Sequence, residues 1–363
     1  MKPYRFIISG GGTGGHIYPA IAIADALKST YSDAEFLFVG AYGKMEMEKV
    51  PKAGYPIKGI WIAGLQRGSF LKNILFPLKL VVSFFQSIFI LLWFRPNFAI
   101  GTGGFASGPI LFIAHYLKIK TLIQEQNSFA GITNRALSKI VDVVAVAFEG
   151  MDRFFPKNKI ILAGNPVREA LLDVENKKAE ALLYFKLNPS KKTIVILGGS
   201  LGAKKINETI AAHLPLFSEL GVQLIWQCGK LYFDQFKEYN EQDNIQVYEF
   251  IQEMDLIYAA ADALISRAGA SSISELALVG KPVLLIPSPN VADNHQYHNA
   301  LALSKTGGAL VLLEQDIESQ FQEVLGQLLV INEDDVKEDF NKFARPNATQ
   351  NIVQKIKNEL EFL

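Results

Sequence analysis

Short apolar runs alternate with amphipathic stretches along almost the whole chain, and this alternation constrains the fold most. The runs are continuous in Val, Ile, Leu and Phe, without polar alternation, as is typical of strands buried on both faces in parallel sheets. The pattern therefore predicts two doubly wound α/β domains. The predicted strands are "RFIIS", "EFLFVG", "IKGIWI", "NFAIG", "TLIQE" and "VDVVAVAF", then "TIVILGG", "VQLIWQC", "IQVYEF", "DALIS", "KPVLLIP" and "ALVLL".

Length and composition agree with two ordinary globular domains. A chain of 363 residues is long for one hydrophobic core. Lys+Arg and Asp+Glu number 36 each, so the overall charge gives no reason to expect nucleic acid as a partner. The single cysteine, Cys228, excludes an internal disulfide and a cysteine-based zinc site, which indicates a reducing, cytoplasmic compartment. The five histidines show no metal-ligand spacing, so we expect no tightly bound metal.

Three strands run directly into glycine-rich loops: "IISGGGTGGH", "AIGTGGFASGP" and "VILGGSLGAKK". In a doubly wound sheet, ligands lie beyond the carboxyl ends of the strands. Glycines at that edge let backbone N–H groups approach a phosphate or sugar, although tight strand-to-helix turns also use glycine for geometry alone. Three such loops in one chain favour a ligand-binding cleft.

The first loop also satisfies the G-x-G-x-x-G pattern of dinucleotide enzymes, through Gly10, Gly12 and Gly15. That pattern needs an acidic residue at the end of the second strand to bind a ribose. Here the second strand ends "FVGAYGK", and the next acid is Glu46. A dehydrogenase is therefore not supported.

The second half of the chain offers a better nucleotide site in "SRAGASSISELALVG". Ser271 and Ser272 stand at a predicted helix start, where hydroxyls and free N–H groups suit a pyrophosphate. Glu275, one turn on, could accept both hydroxyls of a ribose. The alternative is a capping arrangement of the helix by the same residues. The polar loop "PSPNVADNHQYHNA" could contact a sugar or be simply solvated.

Eight motifs occur together in one order: "GGTGGHIYPA", "GTGGFASGP", "QEQNSFAGITNR", "AGNPVR", "GGSLGA", "EFI", "SRAGASSISELA" and "DNHQYHNA". The chain resembles the bacterial cell-wall transferases that move N-acetylglucosamine from UDP-N-acetylglucosamine to undecaprenyl-pyrophosphoryl-N-acetylmuramyl-pentapeptide. The resemblance implies a GT-B arrangement, two Rossmann-like domains facing across a cleft. It implies an acceptor domain at residues 1–165, completed by a C-terminal helix at 346–363, and a donor domain at 166–345.

The resemblance also implies roles for single residues. Glu275 would bind the ribose, Ile251 would present its backbone to uracil, and Gln296 would contact the transferred sugar. Arg168 and Asn127 would reach the donor from the other side of the cleft. The remaining expected substrate-binding residues are Thr13, Gly14, Gly15, Ser200, Ala270, Ser271, Ser272, Ile273 and Ser274, with Gly103 and Gly104 in an acceptor or phosphate loop.

The expected reaction is direct inversion, in which the 4-hydroxyl of the muramyl sugar attacks the anomeric carbon of the donor. His16 starts the helix after the first loop, where the helix N-terminus favours a neutral imidazole that can accept the proton. Glu125 is the rival base, and His16 could instead merely cap or fill the turn. No cofactor or metal is expected, because helix N-termini and hydroxyls would meet the charge that develops on UDP.

A lipid acceptor accounts for the apolar stretch "FLKNILFPLKLVVSFFQSIFILLWF", residues 70–94. We expect Leu71, Lys72, Leu75, Phe76 and Lys79 to contact an anionic membrane, so that the protein lies peripherally on the cytoplasmic face of the inner membrane. The uncharged run at 80–94 is short for a membrane span, and for residues 84–94 we expect a buried helix instead.

Two other functional classes stay open at this stage. A related GT-B enzyme could use another acceptor or epimerise the UDP-sugar, and an acceptor assay would distinguish it. A non-catalytic UDP-sugar sensor could share the fold, although His16, Glu125 and Glu275 argue against that. The expected partners are the lipid-linked acceptor, the membrane surface and other wall-synthesis proteins.

Overall fold

The computed structural model describes residues 3–64, 74–199 and 201–361, and the chain divides into two compact units. Unit 1 comprises Met1–Val167 and Asn347–Leu363, and unit 2 comprises Arg168–Pro346. The change from one unit to the next falls within the polar segment "AGNPVREALL", two residues after the sequence-based boundary at 165/166.

Unit 1 is built on a parallel sheet, which has seven strands within the described residues. Their order is β3-β2-β1-β4-β5-β6-β7, and each neighbouring pair is parallel. The strands are β1 (Arg5–Gly10), β2 (Glu35–Ala41), β3 (Ile57–Ile60), β4 (Phe98–Gly103), β5 (Lys120–Glu125), β6 (Val143–Val146) and β7 (Ile160–Leu162). The helices between them are α1 (Gly14–Thr30), α2 (Glu46–Lys52), α3 (Phe76–Phe94), α4 (Ser107–Tyr116) and α5 (Ile132–Leu137).

Unit 2 repeats the plan with a six-stranded parallel sheet, counted over the described residues, in the order β10-β9-β8-β11-β12-β13. The strands are β8 (Thr193–Leu197), β9 (Gln223–Gln227), β10 (Ile245–Tyr248), β11 (Ala263–Ser266), β12 (Val283–Leu285) and β13 (Ala309–Val311). The helices are α6 (Lys178–Tyr184), α7 (Lys204–Ala212), α8 (Leu214–Glu219), α9 (Phe233–Phe236), α10 (Met254–Ala260), α11 (Ala270–Val279), α12 (His295–Ser304), α13 (Ile317–Val330) and α14 (Glu333–Phe343). Short 3₁₀ helices lie at Met151–Arg153, Lys157–Lys159, Glu169–Lys177, Lys237–Glu241, Ala292–Asn294 and Glu314–Asp316.

The last helix, α15 (Ala348–Leu360), returns to unit 1 and contacts α1. Its residues Ile352 and Ile356 are fully buried in the same core cluster as Ile8 and Ile100 of the sheet. Lys120 at the start of β5 pairs with Glu359 at 2.9 Å. The predicted fold class, two Rossmann-like units with the C-terminal helix packed on the first, is confirmed.

Helix α3 has one exposed apolar face. The prediction that residues 84–94 form a buried helix is therefore wrong for that face. Phe85 is 59 % exposed and Phe89 is 73 % exposed. Leu78, Val81 and Leu92 are exposed on the same side, at spacings of three and four residues that place them along one helix face. The opposite face is buried.

By length and composition, α3 is also the one helix in the described residues that could cross a bilayer. It has 19 residues and a mean hydropathy of 1.8. One such helix is weak evidence, because the core helix of a soluble protein passes the same test.

Candidate functional site

In unit 1 the first glycine loop, between β1 and α1, lies against the second, between β4 and α4. A Cβ atom added to Gly104, whose φ is +80°, would collide with the backbone of Gly11. One added to Gly103, whose φ is +101°, would lie 2.8 Å from the ring of His16. At these positions glycine is therefore required for packing of backbone and ring, which is a different reason from the approach of a ligand.

The carboxylate of Glu46 holds the first glycine loop by hydrogen bonds. Glu46 is fully buried on α2, and its two oxygens accept hydrogen bonds from the N–H groups of Gly12, at 2.9 Å, and Ala41, at 3.0 Å. This is the acid that follows β2 in the sequence, where a dinucleotide enzyme would present a carboxylate to a ribose. Here both of its oxygens bond the protein backbone instead, so Glu46 orders the loop.

Thr13, Gly14, Gly15 and His16 form the start of α1, and the structure brings them together at the carboxyl end of the unit 1 sheet. Thr13 is the N-cap residue, and its carbonyl accepts the N–H of His16 at 3.2 Å. Thr13 and Gly15 are exposed, whereas His16 is half-buried. An external molecule can therefore reach the loop beside His16.

The side chain of His16 belongs to a closed ring of hydrogen bonds. Its Nδ1 lies 3.0 Å from Oε1 of Gln126, and Nε2 of Gln126 donates to the carbonyl of Thr102 at 2.7 Å. The hydroxyl of Thr102 donates back to the carbonyl of His16 at 2.8 Å. Three segments, α1, β4 and the loop after β5, thus fix one imidazole.

Glu125 and Asn127 lie at the end of β5, where the carboxylate of Glu125 orders the loop before α5. Glu125 is 2 % exposed, and its oxygens accept four hydrogen bonds of 3.0–3.3 Å. The donors are the backbone and side-chain nitrogens of Asn127, the N–H of Gly131 and Nδ2 of Asn134. A carboxylate so engaged is poorly placed to collect a proton from a substrate, and this geometry favours His16 over Glu125 as the base.

In unit 2 a cavity of about 630 Å³ opens at the carboxyl ends of β8 and β11. Its wall includes the third glycine loop, through Gly198, Gly199 and Gly202. The start of α11 contributes Ser272, and α12 contributes Gln296. The N-cap of α11 is Gly269, which has no side chain of its own to cap the helix. A helix N-terminus in a glycine-lined cavity favours an anion such as a phosphate.

Three basic side chains line the same cavity, and each has an acidic partner. Arg267 pairs with Glu314 at 2.5 Å and donates to the carbonyl of Ile286 at 2.9 Å. Lys204 and Lys205 pair more loosely, with carboxylates of Glu208 and Glu318 at 3.7 and 3.4 Å. Because these last two pairs are partly exposed, an anionic ligand could redirect their lysines at low cost.

The α11 residues predicted to bind substrate face in different directions. Ser271 and Ser274 are half-buried, and the Ser274 hydroxyl donates to the carbonyl of Ala270 at 3.2 Å. The side chain of Ile273 is fully buried, and its N–H donates to the carbonyl of Gly269 at 2.9 Å. Neither its side chain nor its N–H is therefore open to a ligand.

Glu275 lies one turn into α11, with a buried tyrosine behind it. The hydroxyl of Tyr258, on α10, donates to Oε2 of Glu275 at 3.0 Å, and Arg168 Nε lies 3.9 Å from Oε1. Burial raises the pKa of Glu275, while Arg168 and the Tyr258 hydrogen bond act to lower it. Arg168, which was expected to reach the donor from the other side of the cleft, begins unit 2 and lies beside Glu275 within that unit.

Ile251 and Gln296 are each held by one backbone-to-amide hydrogen bond. The N–H of Ile251 donates to Oε1 of Gln227 at 2.9 Å. Oε1 of Gln296 accepts the N–H of Ser288 at 2.8 Å, which directs its NH₂ group as the donor. Before Gln296, Asp293 has φ +53° and Asn294 has φ +50°. Two successive non-glycine residues in the left-handed region are a strain that is typical of functional loops.

Of the predicted membrane residues, Leu75 is exposed, whereas Phe76 and Lys79 are half-buried. The ammonium of Lys79 lies 5.7 Å from the centre of the Trp61 ring. Leu71, Lys72 and the phosphate-loop residue Ser200 lie outside the described residues.

Three residues of the site were not selected from the sequence: Glu46, Gln126 and Tyr258. Gln126 stands between two selected residues in "QEQN", and that position was its only sequence signal. Tyr258 is a single hydroxyl in the apolar run "LIYAAADALIS", a pattern that more often marks a core residue.

Comparisons with known proteins identify matching families and relatives. Residues 6–146 match the glycosyltransferase family 28 N-terminal domain, and residues 193–358 match its C-terminal domain. UDP-N-acetylglucosamine–N-acetylmuramyl-(pentapeptide) pyrophosphoryl-undecaprenol N-acetylglucosamine transferase of Flavobacterium psychrophilum is 54 % identical, over 98 % of each chain. The enzyme of the same name from Christiangramia forsetii is 53 % identical, over 97 % of this chain and 96 % of its own.

A similar solved structure is the crystal structure of Acinetobacter baumannii MurG. It is 29 % identical, with a TM-score of 0.79, over 98 % of this chain and all of its own.

We predict that Gly103→Ala destabilises unit 1 more than Gly43→Ala does, by about 1–3 kcal/mol, because the new methyl group overpacks the site. Both glycines have positive φ, so both substitutions strain the backbone. Only at Gly103 would the methyl group meet His16, because no atom lies within 4 Å of a Cβ at Gly43.

The difference can be measured by urea unfolding in a Trp226→Phe background, where the fluorescence of Trp61 and Trp93 reports on unit 1 alone. The His16 ring resonances should shift in Gly103→Ala and stay in place in Gly43→Ala. Equal destabilisation by the two substitutions would contradict the packing described for the two loops.

Proposed function

The chain belongs to glycosyltransferase family 28, and on that premise we propose how its two units carry out the reaction of its relatives. The protein is a UDP-N-acetylglucosamine-dependent glycosyltransferase of peptidoglycan synthesis. It adds N-acetylglucosamine to the lipid-linked N-acetylmuramyl-pentapeptide, converting lipid I into lipid II. The observation that carries this conclusion is the 54 % identity over 98 % of the chain, which spans both units.

The proposed step is an inverting displacement with His16 as the base. The 4-hydroxyl of the muramyl sugar attacks the anomeric carbon of the donor, the new C–O bond forms as the bond to UDP breaks, and the hydroxyl proton passes to His16 Nε2. Support comes from the exposed Thr13 and Gly15 beside a half-buried, hydrogen-bonded imidazole and from the engagement of Glu125 by four donors. Glu125 then acts by holding Asn127 and the loop before α5.

The donor is proposed to lie in the unit 2 cavity. Its pyrophosphate would meet the third glycine loop and the N-terminus of α11, with Lys204, Lys205 and Arg267 near it. Glu275 would accept the ribose hydroxyls, the carbonyl of Ile251 would meet uracil, and the NH₂ of Gln296 would donate to the sugar. The same donors would stabilise the leaving UDP, and we propose that transfer needs no bound metal.

The exposed face of α3 is proposed to contact the cytoplasmic leaflet of the membrane that carries the acceptor. Its aromatic residues Phe85 and Phe89 and the exposed Leu75 offer apolar surface, and Lys79 lies beside it. Apolar contact combined with basic charge is how a peripheral protein binds an anionic interface. Binding of other wall-synthesis proteins stays a prediction.

We predict that His16→Ala lowers kcat by about 10²–10⁴, because general-base catalysis contributes that much, with donor affinity nearly unchanged. The assay follows transfer of radiolabelled N-acetylglucosamine to a soluble prenyl-pyrophosphoryl-muramyl-pentapeptide analogue, with chelator present throughout. Turnover by the wild type under chelation supports metal independence. An equal loss of turnover and of UDP-N-acetylglucosamine affinity in His16→Ala would contradict its role as the base.

Burial raises the pKa of Glu275, and we expect the ribose hydroxyls to bind its ionised form. On acidification, donor binding should therefore weaken at a higher pH than it would with a glutamate of ordinary pKa. In Tyr258→Phe, loss of the hydrogen bond that lowers this pKa should move the weakening to still higher pH. Calorimetric titration of UDP across the acid range measures both effects. The control is Tyr55→Phe, which removes a tyrosine–carboxylate hydrogen bond in unit 1. A shift in the control, or none in Tyr258→Phe, would contradict the assignment of Glu275.

The double variant Phe85→Glu/Phe89→Glu should bind anionic vesicles at least about tenfold more weakly, because each buried phenylalanine contributes about 1.5–3 kcal/mol to such contacts. Vesicle sedimentation measures binding, and UDP affinity should stay unchanged. The matched control is Leu183→Glu, since Leu183 is an 80 % exposed apolar side chain of unit 2. Undiminished vesicle binding by the double variant would refute the membrane assignment of α3.

A further inference from the structure

The orientation of the Gln126 amide is determined by its surroundings. Its Nε2 lies 2.7 Å from the carbonyl of Thr102 and 3.2 Å from the carbonyl of Gln124, and it also contacts the side-chain oxygen of Gln124. All three neighbours accept hydrogen bonds. If the amide were reversed, its oxygen would face three other oxygens, so the NH₂ group must occupy this position and Oε1 must point at His16.

Because Oε1 of Gln126 can only accept, Nδ1 of His16 must be the donor across the 3.0 Å separation. A neutral imidazole protonated at Nδ1 carries its lone pair at Nε2. The hydrogen bond therefore selects one of two tautomers, and it is the one whose Nε2 can accept a proton.

The surroundings of Gln126 keep this arrangement rigid. Gln126 is 1 % exposed, and its own backbone carbonyl accepts a hydrogen bond from Asn165 at 3.0 Å. Asn165 in turn accepts one from Gln124 at 2.9 Å. Burial and this network of hydrogen bonds therefore hold Gln126 in place.

The segments packed around His16 carry little other charge. Residues 102–108 and 126–131, "TGGFASG" and "QNSFAG", contain no titratable side chain. Tyr18 is the nearest such residue along α1, and Asp25, further along, bonds the hydroxyl of Tyr55. The buried carboxylate of Glu46 accepts the N–H groups of Gly12 and Ala41, and that of Glu125 accepts nitrogen donors of the loop that follows it. The neutral amide of Gln126 is therefore the polar group that bonds the imidazole nitrogen directly.

We propose that Gln126 is a positioning residue of the transfer reaction, and this rests on the proposed function. It holds His16 as the Nδ1–H tautomer and leaves Nε2 to take the proton of the acceptor hydroxyl. A neutral amide in this position orients the ring without placing a formal charge beside it, unlike a carboxylate.

The first test is spectroscopic and needs no turnover. Ring nitrogen spectra of histidine-¹⁵N-labelled protein, with His16 assigned by its loss in His16→Ala, should show protonation at Nδ1 in the neutral wild type. In Gln126→Met the signal should move towards the other tautomer. An Nε2–H tautomer in the wild type, or an unchanged tautomer in Gln126→Met, would overturn the proposal.

The second test is kinetic and uses a matched control. We expect Gln126→Met to lower kcat about 10²-fold, at the low end of general-base contributions, with donor KM unchanged. Gln126→Glu should move the acid limb of the kcat/KM profile to higher pH, because a carboxylate beside the ring favours the imidazolium. Gln223→Met is the control: Gln223 is a 3 % exposed glutamine of unit 2 that donates to two carbonyls.

The outcomes separate the two proposals. If the wild type transfers no sugar to the acceptor analogue, the proposed function fails, while the tautomer of His16 can still be read from its spectrum. If the wild type is active and Gln126→Met matches the Gln223→Met control in kcat and in pH profile, Gln126 has no positioning role.

Discussion

The contact between the first two glycine loops is the constraint on which the rest of the unit 1 site depends. Gly11 and Gly104 meet backbone to backbone, and Gly103 leaves the space that the imidazole of His16 occupies. Two parallel strands that end side by side bring their loops into contact. Residues with a Cβ would clash at this contact, so glycine is needed there. The position of the histidine is therefore a consequence of backbone packing, and its hydrogen bonds then select its chemical form.

The two units use glycine for different purposes. In unit 1 the space beside the glycines where the loops meet is filled by neighbouring atoms of the protein, and Gly15 at the start of α1 is exposed. In unit 2, by contrast, Gly198, Gly199 and Gly202 line a cavity beside the N-terminus of α11. This contrast suits the division of labour in the proposed reaction, because a base must be held rigidly whereas a pyrophosphate must be admitted.

The sequence predicted the architecture well because burial on both faces leaves a strong signal. Twelve predicted strands correspond to observed ones, and the missed strand, β7, has only three residues and is partly exposed. Helix α3 was misjudged because its polar residues do not mark its exposed face: Ser83 and Ser87 are buried, whereas Phe85 and Phe89 are exposed. Glu275 and the α11 start could be selected from residue type and spacing. The partners Gln126 and Tyr258 could not, because their roles depend on contacts between distant segments.

The two carboxylates nearest the unit 1 loops show why residue type alone misleads about chemistry. Loops at the ends of parallel strands contain N–H groups that no strand or helix satisfies, and a buried one is costly unless it finds an acceptor. Glu46 and Glu125 supply such acceptors. A carboxylate used in this way serves to order its loop. His16 differs because its ring nitrogen Nδ1 bonds to a neutral oxygen, which fixes that nitrogen and, in the proposed reaction, leaves Nε2 for the substrate. The amide, more than either acid, therefore makes this loop suitable for proton transfer.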